Sequence, residues 1–172
     1  YTTLFRSAEI YSFGALLNSF SLNGKNVVDG FSSVLEAMQN ATNGFKSSRL
    51  SPFVCRMKNG EYNFDGEHYK IEKFYLEPHA IHGLVFDALY EVAATNADET
   101  SASVTLTATY NAEDKGYPFH YTSSIAWKLE ANNKLSVTTT VYHSNGKAIP
   151  FADGWHPYFK LAETVDSCTL QF

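Results

Sequence analysis

Apolar and polar residues alternate along much of this chain. From Ser103 to Tyr110, Val104, Leu106, Ala108 and Tyr110 fall on one side and Ser103, Thr105, Thr107 and Thr109 on the other, the period-two signature of a half-buried strand. Ile125, Trp127 and Leu129 repeat the pattern. Leu135, Val137 and Val141 resume it after Ala131-Asn132-Asn133-Lys134, so the two segments predict a hairpin whose asparagines tolerate a left-handed backbone. Asn23-Gly24, Asn59-Gly60, Asp65-Gly66 and Asn145-Gly146 mark further turns between segments rich in aromatic and β-branched residues. This is the punctuation of an antiparallel all-β protein, not of alternating strands and helices. One short helix is predicted: Ser33 and Glu36 form a capping box, Val34, Leu35, Met38 and Ala41 share a face, and Asn43-Gly44 supplies the stop. At the end of the chain, Cys168, Leu170 and Phe172 alternate with Ser167, Thr169 and Gln171, which predicts a strand in which the chain stops. An apolar strand there needs a partner along its edge. The chain therefore reads as a fragment of a larger sandwich, or as one that a second chain completes.

At 172 residues, with 44% hydrophobic and 18% charged positions, the chain is large and apolar enough to bury one core. No repeat or linker divides it, so residues 1–172 read as a single β-sandwich domain. Its net charge is −5 and its Lys and Arg residues are scattered, which leaves no electrostatic footprint for nucleic acid or an anionic membrane. No run approaches the roughly 20 apolar residues of a membrane-spanning helix, and Tyr1 to Ser12 lacks the basic-then-apolar order of a secretory leader. The two cysteines, Cys55 and Cys168, form neither a Cys-x-x-Cys pair nor a disulfide framework, and a reducing cytoplasm suits them.

Gly-rich phosphate loops, Gly-x-Ser-x-Gly and His-Glu-x-x-His are all missing, so phosphate-cradling and serine-nucleophile chemistry have no support. The candidates for chemistry stand where the strand pattern breaks: His79-Ala80-Ile81-His82-Gly83 and Gly154-Trp155-His156-Pro157-Tyr158-Phe159. Histidines in loops on a rigid sheet are well placed to work, although His156 filling an aromatic cluster and His82 capping a turn would explain them equally well. Arg56 offers five fixed donors suited to sugar oxygens, where an isolated arginine more often makes a surface ion pair. His79, His82 and His156 could together hold zinc, but His-x-x-His in a loop is a weak signal. No metal and no cofactor are expected.

Taken in order, Leu50-Ser51-Pro52-Phe53-Val54-Cys55-Arg56, the Asn-Gly-x-Tyr-x-Phe-x-Gly run from Asn59, His79 to Gly83, Gly116-Tyr117-Pro118-Phe119, and Gly154 to Leu161 resemble the aldose 1-epimerase (mutarotase) family. Each motif is weak alone, and five in sequence are strong. The resemblance implies an antiparallel β-supersandwich of the galactose mutarotase type, incomplete here. It also implies an isomerase that interconverts the α and β anomers of a galactose- or glucose-like aldose by acid-base ring opening, without a cofactor. In that reading His156 is the general acid, His82 completes the catalytic pair by hydrogen-bonding near the ring oxygen, Arg56 holds sugar oxygens, and His79 occupies a binding loop. Two features depart from the pattern. Cys55 stands where the family usually has Asn, and the family's general base is a glutamate from the C-terminal part of a chain about twice as long. Glu113, Asp114, Glu130 and Glu163 do not match that glutamate and read as solvated turn or strand-end charges. The alternative is a carbohydrate-binding sandwich without turnover, in which Trp127, Trp155 or Tyr158 stacks on a pyranose face.

Overall fold

The computed structural model describes residues 6–162, 164–169 and 171. Three strands open the chain as a meander: β1 (Arg6–Ile10), β2 (Leu17–Leu22) and β3 (Lys25–Asn26). After helix α1 (Val34–Asn40) come the two-residue strands β4 (Arg49–Leu50) and β5 (Arg56–Met57). The hairpin β6 (Glu61–Phe64) and β7 (Glu67–Lys70) follows, then β8 (Tyr75–Leu76) and β9 (His79–Ile81). Four long strands, β10 (Glu91–Ala97), β11 (Ser101–Tyr110), β12 (Tyr121–Glu130) and β13 (Leu135–Tyr142), form one antiparallel sheet in chain order. The last strand, β14 (Gly154–Trp155), returns to pair with β4.

The period-two segments occupy this large sheet as their pattern requires. Leu106 on β11 and Ile125 and Trp127 on β12 bury their side chains against Leu17, Val28 and Tyr90. Trp127 satisfies its indole N–H on the Ala15 carbonyl at 3.1 Å, so a large apolar side chain is buried without an orphaned donor. The predicted hairpin joins β12 to β13 with Asn133 at φ 64°, and Asp65-Gly66 turns β6 into β7 with both residues at positive φ. A second core is largely aromatic: Tyr110, Tyr117, Phe119 and Tyr121 pack with Ile71 and Leu84.

Three sequence expectations need correction. Ser33 caps α1, accepting from the Glu36 amide at 3.1 Å, but the Glu36 carboxylate reaches back to the amide and hydroxyl of Ser32 rather than closing the box on Ser33. The helix buries Ala37 and Ala41 against Phe45, Ile81 and Phe86, and leaves Val34, Leu35 and Met38 exposed. Small residues let its backbone approach the core closely, and that contact outweighs the larger apolar side chains. Of the strand expected from Ser167, Ser167 closes a 3₁₀ turn over Val165–Ser167 in which the Cys168 amide bonds back to Val165, Cys168, Thr169 and Gln171 are not in a strand, and Leu170 and Phe172 lie outside the described residues.

Asp114 is the third correction, because it is buried rather than solvated. Its carboxylate accepts the backbone N–H groups of Glu72, Lys73 and Gly116 at 2.7–3.1 Å, pinning the β11–β12 connection onto the segment after β7. Glu113 is exposed and Glu130 pairs with Lys128 and Lys134, as solvated charges do, and Glu163 lies outside the described residues.

Candidate active site

The two-residue strands build the site. β5 pairs with β9 so that Arg56 stands opposite Ile81, and the His82 amide donates to the Cys55 carbonyl at 2.9 Å. β14 pairs with β4, placing Trp155 opposite Arg49. Beyond that pair the His156 amide donates to Ser48 O at 3.0 Å and the Ser47 amide donates to His156 O at 2.9 Å. Two chain segments 74 positions apart in sequence thereby meet: the rings of His82 and His156 lie edge to face with centroids 5.0 Å apart.

Each imidazole has its own support. His82 is buried and takes the edge of Phe45 at 4.6 Å, while Tyr158 stacks on His156 at 5.5 Å with 25° between the planes. Trp155 meets Trp127 edge to face at 5.6 Å, which ties the His156 strand to the main core. Nδ1 of both histidines is buried without a hydrogen-bond partner. Among the described residues no carboxylate is paired with either ring.

Electrostatics separate the two rings. Burial, then the neighbouring charges of His156 and Arg56, hold the His82 imidazole below its ordinary protonation range. Arg56, itself exposed, is thus close enough to His82 to be felt by it. His82 has φ 62° and Gly83 φ 81°, and a Cβ on Gly83 would stand 2.2 Å from the Ser51 carbonyl oxygen. A Gly83→Ala variant is therefore expected to lose about 2–3 kcal/mol of stability through backbone strain and displacement of β4, which urea unfolding would measure.

The structure brings the rings of His82 and His156 together, sets Arg56 near enough to His82 to bear on its charge, and engages His79 with the backbone of Asn59. His79 Nδ1 accepts the Asn59 amide at 3.2 Å, bracing the turn after β5, where Asn59 has φ 56°. Among the described residues no three His, Cys, Asp or Glu side chains converge as metal ligands do. The Gly116-Tyr117-Pro118-Phe119 motif serves packing: Gly116 lies against the Lys70 backbone and Tyr117 donates to Pro150 O at 2.7 Å. Sequence reasoning passed over Arg49, a buried arginine bonded to Thr139 and Asp153 next to the His156 strand. Its only signal was a charge beside Leu50 at the head of the first motif. No helix among the described residues is long and apolar enough to cross a membrane.

Comparison with known proteins bears on the family and the fold. Residues 3–172 match the profile of the aldose 1-epimerase family. Among curated proteins the chain is 33% identical to uncharacterized protein YihR of Escherichia coli K12 over 124 residues, 71% of this chain and 39% of that protein. It is 28% identical to YphB of the same organism over 114 residues, 66% of this chain and 36% of the relative. Among solved structures, the galactose 1-epimerase of Lactobacillus acidophilus superposes with a TM-score of 0.78 at 19% identity, covering 94% of this chain and 47% of that one. The GalM/aldose epimerase homologue of C. elegans gives 0.77 at 22% identity, covering 94% and 50%. At such identities the structural likeness speaks for the galactose mutarotase-like sandwich alone, and the chain spans half or less of the length of these proteins. Matched over nearly its whole length by the family profile, the chain belongs to the aldose 1-epimerase family.

Proposed function

We propose that this chain carries the acid side of an aldose 1-epimerase site, and the observation behind the reading is the contact of His82 with His156 beside Arg56. In mutarotation a base removes the proton of the C1 hydroxyl while an acid protonates the ring oxygen. The C1–O5 bond breaks, the aldehyde turns, and the ring closes on its other face. His156 is the acid in this account. Burial and the neighbouring positive charges disfavour the charged form of His82, which suits it to a hydrogen-bonding role, and the acid role falls to His156 by its place in the His-Pro-Tyr-Phe motif. Neutral His82 then hydrogen-bonds near the ring oxygen, and Arg56 holds hydroxyls with its fork of donors. His79 contributes by bracing the Asn59 turn behind Arg56. The base is a carboxylate outside the residues described here, supplied by a C-terminal half or by a second chain.

A direct test is titration of the intact protein with D-galactose and D-glucose while following the histidine ring signals. Sugar should shift His82 and His156, and Arg56→Met should weaken binding about tenfold or more, the loss of a charged donor to sugar oxygens. Unchanged affinity in that variant would place the sugar elsewhere. Binding without turnover is the second reading. In that reading Trp155 or Tyr158, which flank His156, stack on a pyranose face, and sugar binding without any acceleration of mutarotation would favour it.

Folding stability should carry a mark of the same pair. His82 binds its proton more weakly folded than unfolded, so the unfolded state gains protons first as pH falls through the ordinary histidine range near 6.5. Stability is expected to be highest above that range and to decline between about pH 7 and 5. The decline should be shallower in His82→Gln, and an identical slope in the two proteins would show that another group is responsible.

A further inference from the structure

We propose that Arg49 is a positioning residue for His156, a role that rests on the acid assignment above. β14, which leads into His156, pairs with β4 over only two residues, Gly154 with Leu50 and Trp155 with Arg49, and the two backbone bonds of His156 to Ser47 and Ser48 extend that pairing by a single residue. So short a ladder does not by itself fix a side chain to the few tenths of an ångström that proton transfer demands. A triangle of side chains supplies the second anchor. Arg49 Nη2 donates to Thr139 Oγ1 at 2.7 Å and to the Asp153 carboxylate, and Thr139 Oγ1 donates to the same carboxylate oxygen at 3.0 Å. The three residues come from β4, from β13 of the large sheet and from the approach to β14, so the triangle bolts the His156 strand to both neighbours.

Burial makes this an unusual choice. The Arg49 side chain is 4% exposed and that of Asp153 23%, and Arg49 Nε has no partner. Ion pairs so placed seldom outperform well-packed apolar residues in stability, because desolvation offsets most of the attraction. What they supply is a directional, two-armed geometry. Here that geometry ends three residues before the proposed acid, and the backbone bonds of His156 to Ser47 and Ser48 continue the line from Arg49.

The test is kinetic and spectroscopic, on the intact protein. Arg49→Met should lower kcat for mutarotation about 10–100-fold, the scale of an ångström-sized misplacement, with KM changed less than about threefold because Arg56 and His82 still hold the sugar. Arg49→Lys, which keeps the charge but not the planar placement of Nη2 between Thr139 and Asp153, should recover part of the loss. A purely structural role would lower the melting temperature and leave kcat unchanged at temperatures where the variant is folded. Should Arg49→Met not fold, Thr139→Val and Asp153→Asn, which preserve volume, are expected to lower kcat about 3–10-fold with KM held. Asp65→Asn, in an exposed pair with Lys147, is the control and should match wild type. Histidine ring spectra read the geometry without turnover: in Asp153→Asn the His156 signals should move while those of His79 stay. If the wild type does not catalyse mutarotation, the acid assignment fails, and those spectra still decide whether Arg49 positions the ring. Wild-type kcat in the folded variants, or His156 signals that do not move, would overturn the proposal.

Discussion

Replacing His156 by Ala is expected to slow protein-catalysed mutarotation by about 10²–10⁴-fold while sugar affinity changes by no more than a few fold. The two rings divide the labour. An acid works on the transition state, in which negative charge grows on the ring oxygen, and removing it costs kcat. Groups that grip the hydroxyls work equally on substrate and transition state, and removing them raises KM. His82→Ala and Arg56→Met should therefore show the second pattern more strongly than His156→Ala does. A loss in KM alone for His156→Ala would move the acid role to another residue. Polarimetry of fresh α-D-galactose at several concentrations separates the two parameters.

The second large effect is on folding. Asp114→Ala is expected to cost about 3–5 kcal/mol, because one buried and two part-buried backbone amides lose a charged acceptor at once. For a chain of this length that amounts to a fall of roughly 10 °C in melting temperature. Tyr110, whose hydroxyl accepts from the Asp114 amide and whose ring stacks on Tyr121 at 5.3 Å, would lose its alignment with the connection. Glu113→Ala, one residue away and exposed, should change stability by less than about 0.5 kcal/mol. Equal effects in the two variants would mean that Asp114 is no anchor.

Much of the large sheet was legible in the sequence because its strands run eight to ten residues from β11 to β13, long enough for a period of two to stand out. The turns were legible through Asn-Gly and Asp-Gly pairs, which fall at positive φ at Asn23-Gly24, Asn59-Gly60 and Asp65-Gly66. The helix was legible in its start and partly misread in its face: Ala41 is buried as expected, but Ala37 faces inward in place of Val34, Leu35 and Met38. The site rests on β4, β5 and β14, each two residues long, and no alternation can be read from two residues. His82, His156 and Arg56 were found through the family motifs, not through the pattern of their strands. Asp114 was misread as solvated and Arg49 was not singled out, because a charge in a sequence gives no sign of the buried donors and acceptors that hold it in the fold.

The most direct measurement is the polarimetric rate at which fresh α-D-galactose approaches anomeric equilibrium with the intact protein, set against buffer. A clear acceleration is expected, proportional to protein concentration and lost in His156→Ala. A trace that follows buffer, under conditions where the sugar demonstrably shifts the His82 and His156 signals, would contradict catalysis and leave a sandwich that binds sugars without turning them over.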